Sequence, residues 1–334
     1  MDEVRLVFKH NTNFLLSKSP VSFKFTRERY TPYTQLSGVI IGDIDVSKVN
    51  NIELYYQNKL LHKGMADNVS KIYRNGRYII TFLSRGFTML LGQNEPKPGI
   101  ISNSSLASII AMNTFIPNVS WENTTSIESY IFVKEKSTIW DAICAYAYKA
   151  YKNYPYILND NTVMVSIPTG VTTFDYSSNK IMTCGECAST SSMLSKVFMS
   201  DMDGEYSYTQ ENADASQYNI VRKKYYPLDK QWYASPEDGL DFKLKYSNRA
   251  VNLAFVKYKG HRFENLLDKA KFIKGGNTLI NNERISKVEV IGNKYGVFTN
   301  ISVYRDSYAS WQWVCDNGEL DLSAFKFDTH NFPF

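Results

Sequence analysis

The chain lacks the features that several protein classes require. It has only 4 cysteines, 10 prolines and 17 glycines in 334 residues, which excludes a disulfide framework and argues against disorder. No apolar run approaches the roughly 20 residues that cross a bilayer. The N-terminus carries Asp2 and Glu3 where a secretory signal needs positive charge and an apolar segment. These absences predict a protein made in the cytoplasm, with no membrane span.

The chain also lacks a large excess of charge of one sign. The net charge is only +5, and acidic and basic residues are interspersed along the chain. A surface that binds duplex nucleic acid needs a concentrated positive field, which this distribution does not supply. Nucleic acid is therefore not predicted as a specific partner.

Apolar and aromatic residues are abundant. Apolar residues make up 43% of the chain, with 24 tyrosines and 19 phenylalanines. Aromatic residues favour pleated, half-buried surfaces, and a chain of this length holds roughly two to four domains. The composition predicts a β-rich, multidomain α+β protein.

Residues 1–92 read as a series of strands separated by turns, and we assign them to a first small antiparallel β-barrel domain. The strongest local signal is Asn75-Gly76 between two apolar stretches, because both residues tolerate the positive φ values of a type I′ hairpin. A second turn is expected at residues 57–59. A meander of this kind must close or stack to hide its edges.

Three further segments follow. Residues 93–170 are predicted to form an α/β insert, with Thr138 as the N-cap of an amphipathic helix that ends near Pro155. Residues 171–310 read as a second β-domain with inserted loops, including a hairpin at Asp203-Gly204. Residues 311–334 are aromatic without clear periodicity, and we interpret them as a docking segment.

Two short motifs invite a metal. Cys184 and Cys187 have the spacing that lets two thiolates bind one Zn²⁺ or form a reactive dithiol, but no second pair of cysteines or histidines completes such a site. Ordinary cysteines are the preferred interpretation, and a bond or a metal stays open. Asp201, Asp203 and Glu205 imitate the start of a calcium loop without its glycine and its final glutamate, so a hairpin turn is preferred.

No pattern indicates catalysis. Residues 274–278 contain two glycines and a lysine in the wrong order for a phosphate-binding loop, and a loop with glycine dihedrals is preferred. The four histidines are scattered through the sequence. No catalytic residue, metal ligand or cofactor site is predicted. Trp311 and Trp313 share one face of an extended segment and suit either the core or a protein or sugar partner.

Several segments together resemble a known family. They are residues 60–69, 78–86, 90–91, 138–143, 154–156, 195–198, 203–206 and 219–222. In this order they resemble the baseplate hub proteins of contractile phage tails, the late control D type family, which is distantly related to the hub part of type VI secretion spikes.

The resemblance implies a fold and a structural role. Hubs of this family contain two tube-like β-barrels in each chain and form homotrimers, so that three chains present six barrels to a hexameric tail tube and threefold symmetry to a trimeric central spike. The expected partners are the tail tube, the spike and other baseplate proteins, in the tail baseplate of a virion or a phage-tail-like bacteriocin. The resemblance does not extend to the aromatic segment 311–334, where partner contacts are expected at Trp311, Trp313, Phe332 and Phe334 from the aromatic residues themselves.

Two other functions compete with the hub. A carbohydrate- or receptor-binding tail protein would use the many tyrosines and tryptophans to line a groove. A cell-wall hydrolase fused to tail machinery would need an acidic pair, whose geometry a sequence does not reveal. The non-enzymatic hub is the preferred interpretation.

Overall fold

The computed structural model describes residues 3–111, 116–151, 153–177, 181–201, 203–228 and 236–305. Of these residues 48% lie in strands and 15% in helices, in several sheets, so the predicted β-rich α+β class is confirmed. The described elements are β1 (Val4–His10), β2 (Asn13–Lys18), β3 (Ser22–Glu28), β4 (Gln35–Ile41), β5 (Asn51–Tyr56), β6 (Lys59–Arg74), β7 (Arg77–Gly86), β8 (Gly99–Ser104), α1 (Leu106–Ala111), β9 (Ser120–Trp121), β10 (Glu128–Val133), α2 (Ile139–Tyr151), β11 (Tyr156–Ile157), β12 (Thr162–Met164), β13 (Thr173–Asp175), β14 (Ile181–Cys187), β15 (Lys196–Met199), β16 (Tyr208–Glu211), β17 (Lys223–Tyr226), α3 (Pro236–Asn248), β18 (Leu253–Lys259), β19 (Lys269–Lys274), β20 (Asn277–Arg284), β21 (Lys287–Asn293) and β22 (Gly296–Tyr304), with 3-10 helices at Val46–Lys48, Phe87–Gly92 and Ala213–Tyr218.

The main sheet has eleven strands, in the order β14-β18-β22-β21-β3-β4-β7-β6-β5-β1-β2. Its two halves come from opposite ends of the chain and join where β3 pairs antiparallel with β21, with Phe25 opposite Val290. Two separate closed barrels were expected, but the eleven strands of the main sheet form one open sheet, and the described residues contain no closed barrel. To close two separate barrels, β3 and β21 would each have to pair with a strand of their own half. Instead they pair with each other.

The β6–β7 hairpin forms as predicted. Asn75 has φ 51° and Gly76 has φ 72°, the left-handed pair that lets a two-residue turn follow the twist of its strands. The expected turn before β6 also forms, with positive φ at Gln57 and Asn58. Local turn chemistry therefore sets the registers of β5, β6 and β7.

Helix α2 is the centre of the second core. Its position and its cap follow the prediction, but its burial is not confined to one face as the amphipathic pattern indicated. Thr138 Oγ1 accepts the backbone N–H of Asp141 at 3.2 Å, and the Asp141 carboxylate accepts the backbone N–H of Thr138 at 2.8 Å. This reciprocal cap satisfies two donors that a helix start leaves free. The helix is buried on nearly all sides, and its core includes Trp140, Ile143 and residues of β10 and β12.

The larger core lies under the main sheet and draws on both of its halves. In the N-terminal half the sheet curls, so that the rings of Phe8 on β1 and Phe82 on β7 meet edge to face at 5.4 Å. From the C-terminal half come Val256, Val290 and Ile301, all fully buried. One shared core therefore spans segments that the sequence assigned to different domains, and the boundaries at 92, 170 and 310 stay predictions.

The smaller elements of the C-terminal half only partly match the prediction. The β15–β16 hairpin forms, but its second strand begins at Tyr208, three residues later than expected. Helix α3 was not predicted, and it covers β15 with Leu240 and Leu244. Gly275 and Gly276 both have positive φ and turn β19 into β20, which confirms the loop that their dihedrals indicated. No helix in the described ranges is long and apolar enough to span a bilayer.

Candidate assembly surfaces

The predicted partner-binding residues Trp311, Trp313, Phe332 and Phe334 lie outside the described residues. The docking role of residues 311–334 therefore stays a prediction. The surfaces considered next belong to the described ranges.

One end of the main sheet is strand β2. Among the described strands it pairs only with β1. Phe14 on β2 is 70% exposed, and the ammonium of Lys9 lies 4.9 Å from the centre of its ring. An exposed edge strand with an exposed aromatic residue is a template for pairing with another chain.

The other end is strand β14, which within the described ranges pairs only with β18. Met182 is 55% exposed, and both Cys184 and Cys187 are exposed free thiols. These cysteines are three residues apart in an unbulged stretch of strand, so their side chains point to opposite faces of the sheet. This orientation disfavours binding of one Zn²⁺ by both thiolates, and no group of three or more metal-binding side chains occurs among the described residues.

A third edge lies on the long strand β6. Strand β5 pairs with β6 only as far as Met65, whereas β7 follows β6 to Arg74. Residues 67–74 therefore have a strand neighbour on one side only, as far as the described residues show. Ile72 is 57% exposed and Tyr73 is 65% exposed. The hairpin was predicted from the sequence, but its free edge was not. The edge arises because β6 extends beyond the end of β5.

The sheet β16-β15-β17 carries exposed aromatic rings on the face opposite α3. The rings of Phe198 and Tyr225 stack with centroids 4.5 Å apart, and Tyr206 meets Tyr225 edge to face at 5.0 Å. Tyr225 is 58% exposed. We refer to Phe198, Tyr206 and Tyr225 as the aromatic patch. Exposed rings of this kind suit a sugar or an aromatic partner.

The acidic stretch at residues 201–205 is a turn, as the preferred interpretation held. The Asp201 carboxylate accepts the backbone N–H groups of Asp203 and Glu205 at 3.0 Å and the hydroxyl of Ser207 at 2.8 Å. The hydrogen bond from Ser207 is the largest cause of the lowered pKa of Asp201. Gly204 supplies the positive φ that the turn needs. The oxygens of Asp201 thus serve the loop backbone.

His62 on strand β6 lies between two hydroxyl groups, an arrangement that resembles a catalytic triad in outline. Its ring lies between Thr34 Oγ1 at 2.9 Å and Ser84 Oγ at 2.8 Å. All three side chains are fully buried, and burial lowers the pKa of His62 to about 3. A threonine cannot stabilise an imidazolium as a carboxylate does, so this arrangement is a satisfied core histidine.

The other histidines are separated in space. His10 donates from Nδ1 to the Lys48 carbonyl, 2.7 Å away on the surface. His261 lies 3.2 Å from the Glu264 carboxylate inside the protein. His330 lies outside the described residues. The structure therefore does not bring the described histidines together.

Comparison with known proteins shows similarity to phage tail proteins. No protein-family model matches the chain, and no curated protein matches it. The tail protein from Neisseria meningitidis MC58 is similar with a TM-score of 0.65 and 12% identity, over 91% of this chain and 96% of that chain. The 43 kDa tail protein of prophage MuSo2 from Shewanella oneidensis has a TM-score of 0.67 and 13% identity, over 91% of this chain and 99% of that chain.

A third similar structure is also a prophage tail protein. The prophage tail protein gp18 from Listeria monocytogenes EGD-e has a TM-score of 0.51 and 11% identity, over 94% of this chain and 98% of that chain. Identities this low show the fold alone. The chain has the fold of these tail proteins, and the resemblance that the sequence indicated is confirmed at that level.

Proposed function

We propose that the chain is a structural hub of a tail baseplate. Three copies form a ring that joins a hexameric tail tube to a trimeric central spike, in a virion or a tail-like particle. The supporting observation is that each chain joins two β-rich halves edge to edge through β3 and β21. The outer edges of β2 and β14, at opposite ends of the sheet, have no strand neighbour among the described residues. Three such chains offer six halves to a sixfold tube.

The free ends define how the ring closes. Contact between β2 of one copy and β14 of the next is heterologous, and a heterologous contact closes into a ring when its rotation divides a full turn. Both ends carry exposed apolar side chains, Phe14 and Met182, beside unpaired backbone groups. Burying these groups against a neighbour removes two exposed edges at each contact.

Edge substitutions test this proposal. Light scattering of the purified chain should give the mass of three copies. Phe14→Lys and Met182→Lys should each lower it toward one copy, because a buried unpaired charge at the contact is costly. Tyr295→Lys is the matched control, since Tyr295 is 70% exposed and lies in the β21–β22 turn, on neither β2 nor β14. Loss of the assembly in the control and not in the edge variants would contradict the proposal.

The hub is proposed to have no catalytic activity. The side chains that outline a triad, Thr34, His62 and Ser84, are closed to any substrate by complete burial. Incubation with purified cell walls should release no soluble fragments. Lysis that a single acidic substitution abolishes would instead support the tail-associated hydrolase.

Glycan binding is a second candidate function, and the aromatic patch favours it. Tyr225 and Tyr206 offer exposed ring surfaces, and Lys196 and Glu211 beside them form an ion pair at 2.6 Å that can also meet sugar hydroxyls. Binding of cell-wall oligosaccharide, lost in Tyr225→Ala and kept in Tyr295→Ala, would support this function. Absence of binding in the intact chain would exclude it.

A further inference from the structure

Two arginines lie in the protein interior at the end of β3. Phe23, Phe25, Arg27 and Arg29 alternate on one face of the strand and its extension, so all four point toward the core. Arg27 is 2% exposed and Arg29 is 1% exposed. Neighbours at this spacing lie about 7 Å apart along a strand. The fold therefore buries two adjacent guanidinium groups.

Their hydrogen bonds are few. Arg27 donates through Nη2 to the Glu264 carbonyl at 2.8 Å and to Asn265 Oδ1 at 3.3 Å, and Arg29 donates through Nη2 to Asn153 Oδ1 at 2.9 Å. The Nε and Nη1 atoms of both arginines are buried and have no hydrogen-bond partner. Four donor atoms are left unused, and every acceptor that is used is neutral.

One carboxylate on the 260–268 loop, that of Glu264, already accepts hydrogen bonds from other donors. Glu264 accepts from Tyr176 at 2.9 Å, from Tyr258, and from His261 at 3.2 Å. Burial would raise its pKa, but the hydrogen bonds from His261 and Tyr258 outweigh this and lower it. Glu264 is thus ionised, and its carboxylate oxygens are occupied by hydrogen bonds from Tyr176, Tyr258 and His261.

The second carboxylate is engaged as well. Asp268 accepts the backbone N–H of Thr172 at 3.2 Å and of Asn265 at 2.7 Å. Loss of hydration lowers the pKa of Arg27 to about 10, and the attraction of Asp268 and Glu264 offsets this loss only in part. Within the described residues Arg29 has no hydrogen bond to a carboxylate. Two buried cations without a direct anionic partner are costly.

The positive charges of Arg27 and Arg29 both affect the same buried side chain, that of Tyr156. Burial, followed by the charge of Glu122, raises the pKa of Tyr156 to about 12, and the charges of Arg29 and Arg27 both oppose this rise. Tyr156 is itself 2% exposed. The hydrogen bonds of Arg27 to Glu264 and Asn265, and of Arg29 to Asn153, place the two guanidinium groups between β3, the segment after α2 and the loop before β19.

We propose that Arg27 and Arg29 bind a buried inorganic oxyanion of the phosphate or sulfate class. Water could fill the unused donors, but it would not neutralise two buried charges, whereas an oxyanion does both. The bound anion would lie among residues 27–29, 153–156 and 264–265, which are remote in sequence. It would act as a structural ion that fixes these three segments against one another.

The anion content of the full-length protein tests the proposal. Protein refolded with phosphate, passed into phosphate- and sulfate-free buffer, and then unfolded in acid should release about one oxyanion per chain in ion chromatography. The thermal midpoint should rise by about 2 °C for each tenfold increase in phosphate, with ionic strength held constant by chloride. No released oxyanion, or an equal rise with chloride alone, would overturn the proposal.

Substitution locates the site. Arg29→Met should abolish both the released oxyanion and the phosphate-dependent shift, whereas Arg74→Met, at the exposed tip of the β6–β7 hairpin, should change neither. Full oxyanion content in folded Arg29→Met would mean an adventitious ion only. If Arg29→Met does not fold, Arg27→Lys takes its place, with a tenfold weaker response to phosphate expected because lysine lacks the planar fork.

Discussion

Gly292 faces the ring of Phe23 across the junction between β3 and β21. Gly292 pairs with Phe23 in this register, and a Cβ added at Gly292 would overlap Cε1 of that ring and lie 2.8 Å from Cζ. Phe23 is 2% exposed, so its ring cannot leave the core freely. Gly292→Ala should therefore overpack the junction and lower the free energy of unfolding by about 1–3 kcal/mol.

Urea denaturation of the wild type and four variants checks this value. Gly170→Ala is the matched control, because a Cβ at Gly170 meets nothing within 4 Å, and it should change stability by less than about 0.5 kcal/mol. In a Phe23→Leu background the cost of Gly292→Ala should fall below about 1 kcal/mol, since the smaller side chain leaves room. Equal costs in both backgrounds would refute the packing of Phe23 on Gly292 and with it the register of the junction.

Three further predictions concern single sites. Burial lowers the pKa of His62 to about 3, so between pH 6.5 and pH 3 the unfolded chain binds a proton at this histidine and the folded chain does not. The contribution of His62 to stability is therefore complete above pH 6.5, and the free energy of unfolding should fall toward pH 3 by up to about 1.4 kcal/mol per pH unit. Urea denaturation across this pH range should show a weaker pH dependence for His62→Asn. Gly76→Val should cost about 1–2 kcal/mol, because φ 72° strains a β-branched residue, and no change in the thermal midpoint would contradict the turn assignment. Iodoacetamide labelling of the native protein, read by peptide mass spectrometry, should modify Cys184 and Cys187 quickly and Cys144 only after unfolding, since Cys144 is buried and burial raises the pKa of its thiol; early labelling of Cys144 would show that the α2 core opens.

Local features of the fold could be read from the sequence. The Asn75-Gly76 hairpin depends on two residues that tolerate positive φ, and the start of α2 depends on Thr138 and Asp141, which cap each other. In both cases the interacting residues are at most three positions apart. Such signals survive folding because no distant contact is needed to form them.

The larger arrangement could not be read in this way. The β3–β21 junction pairs residues about 265 positions apart, and strand alternation does not name a strand's partner. Strand β2 was missed because its residues are half-buried or exposed and show little apolar alternation. No sequence pattern marked Arg27 and Arg29, since arginine is seldom fully buried without a partner. The candidate assembly edges thus emerged only from the pairing pattern.

The central claim, that three copies form one ring, is tested most directly by electron microscopy of the purified full-length chain. Class averages should show threefold particles with a central opening and six lobes. The particle mass should be about 115 kDa, the sum of three chains of 38.4 kDa. Monomers at assembly concentrations, or rings whose copy number is not three, would contradict the account.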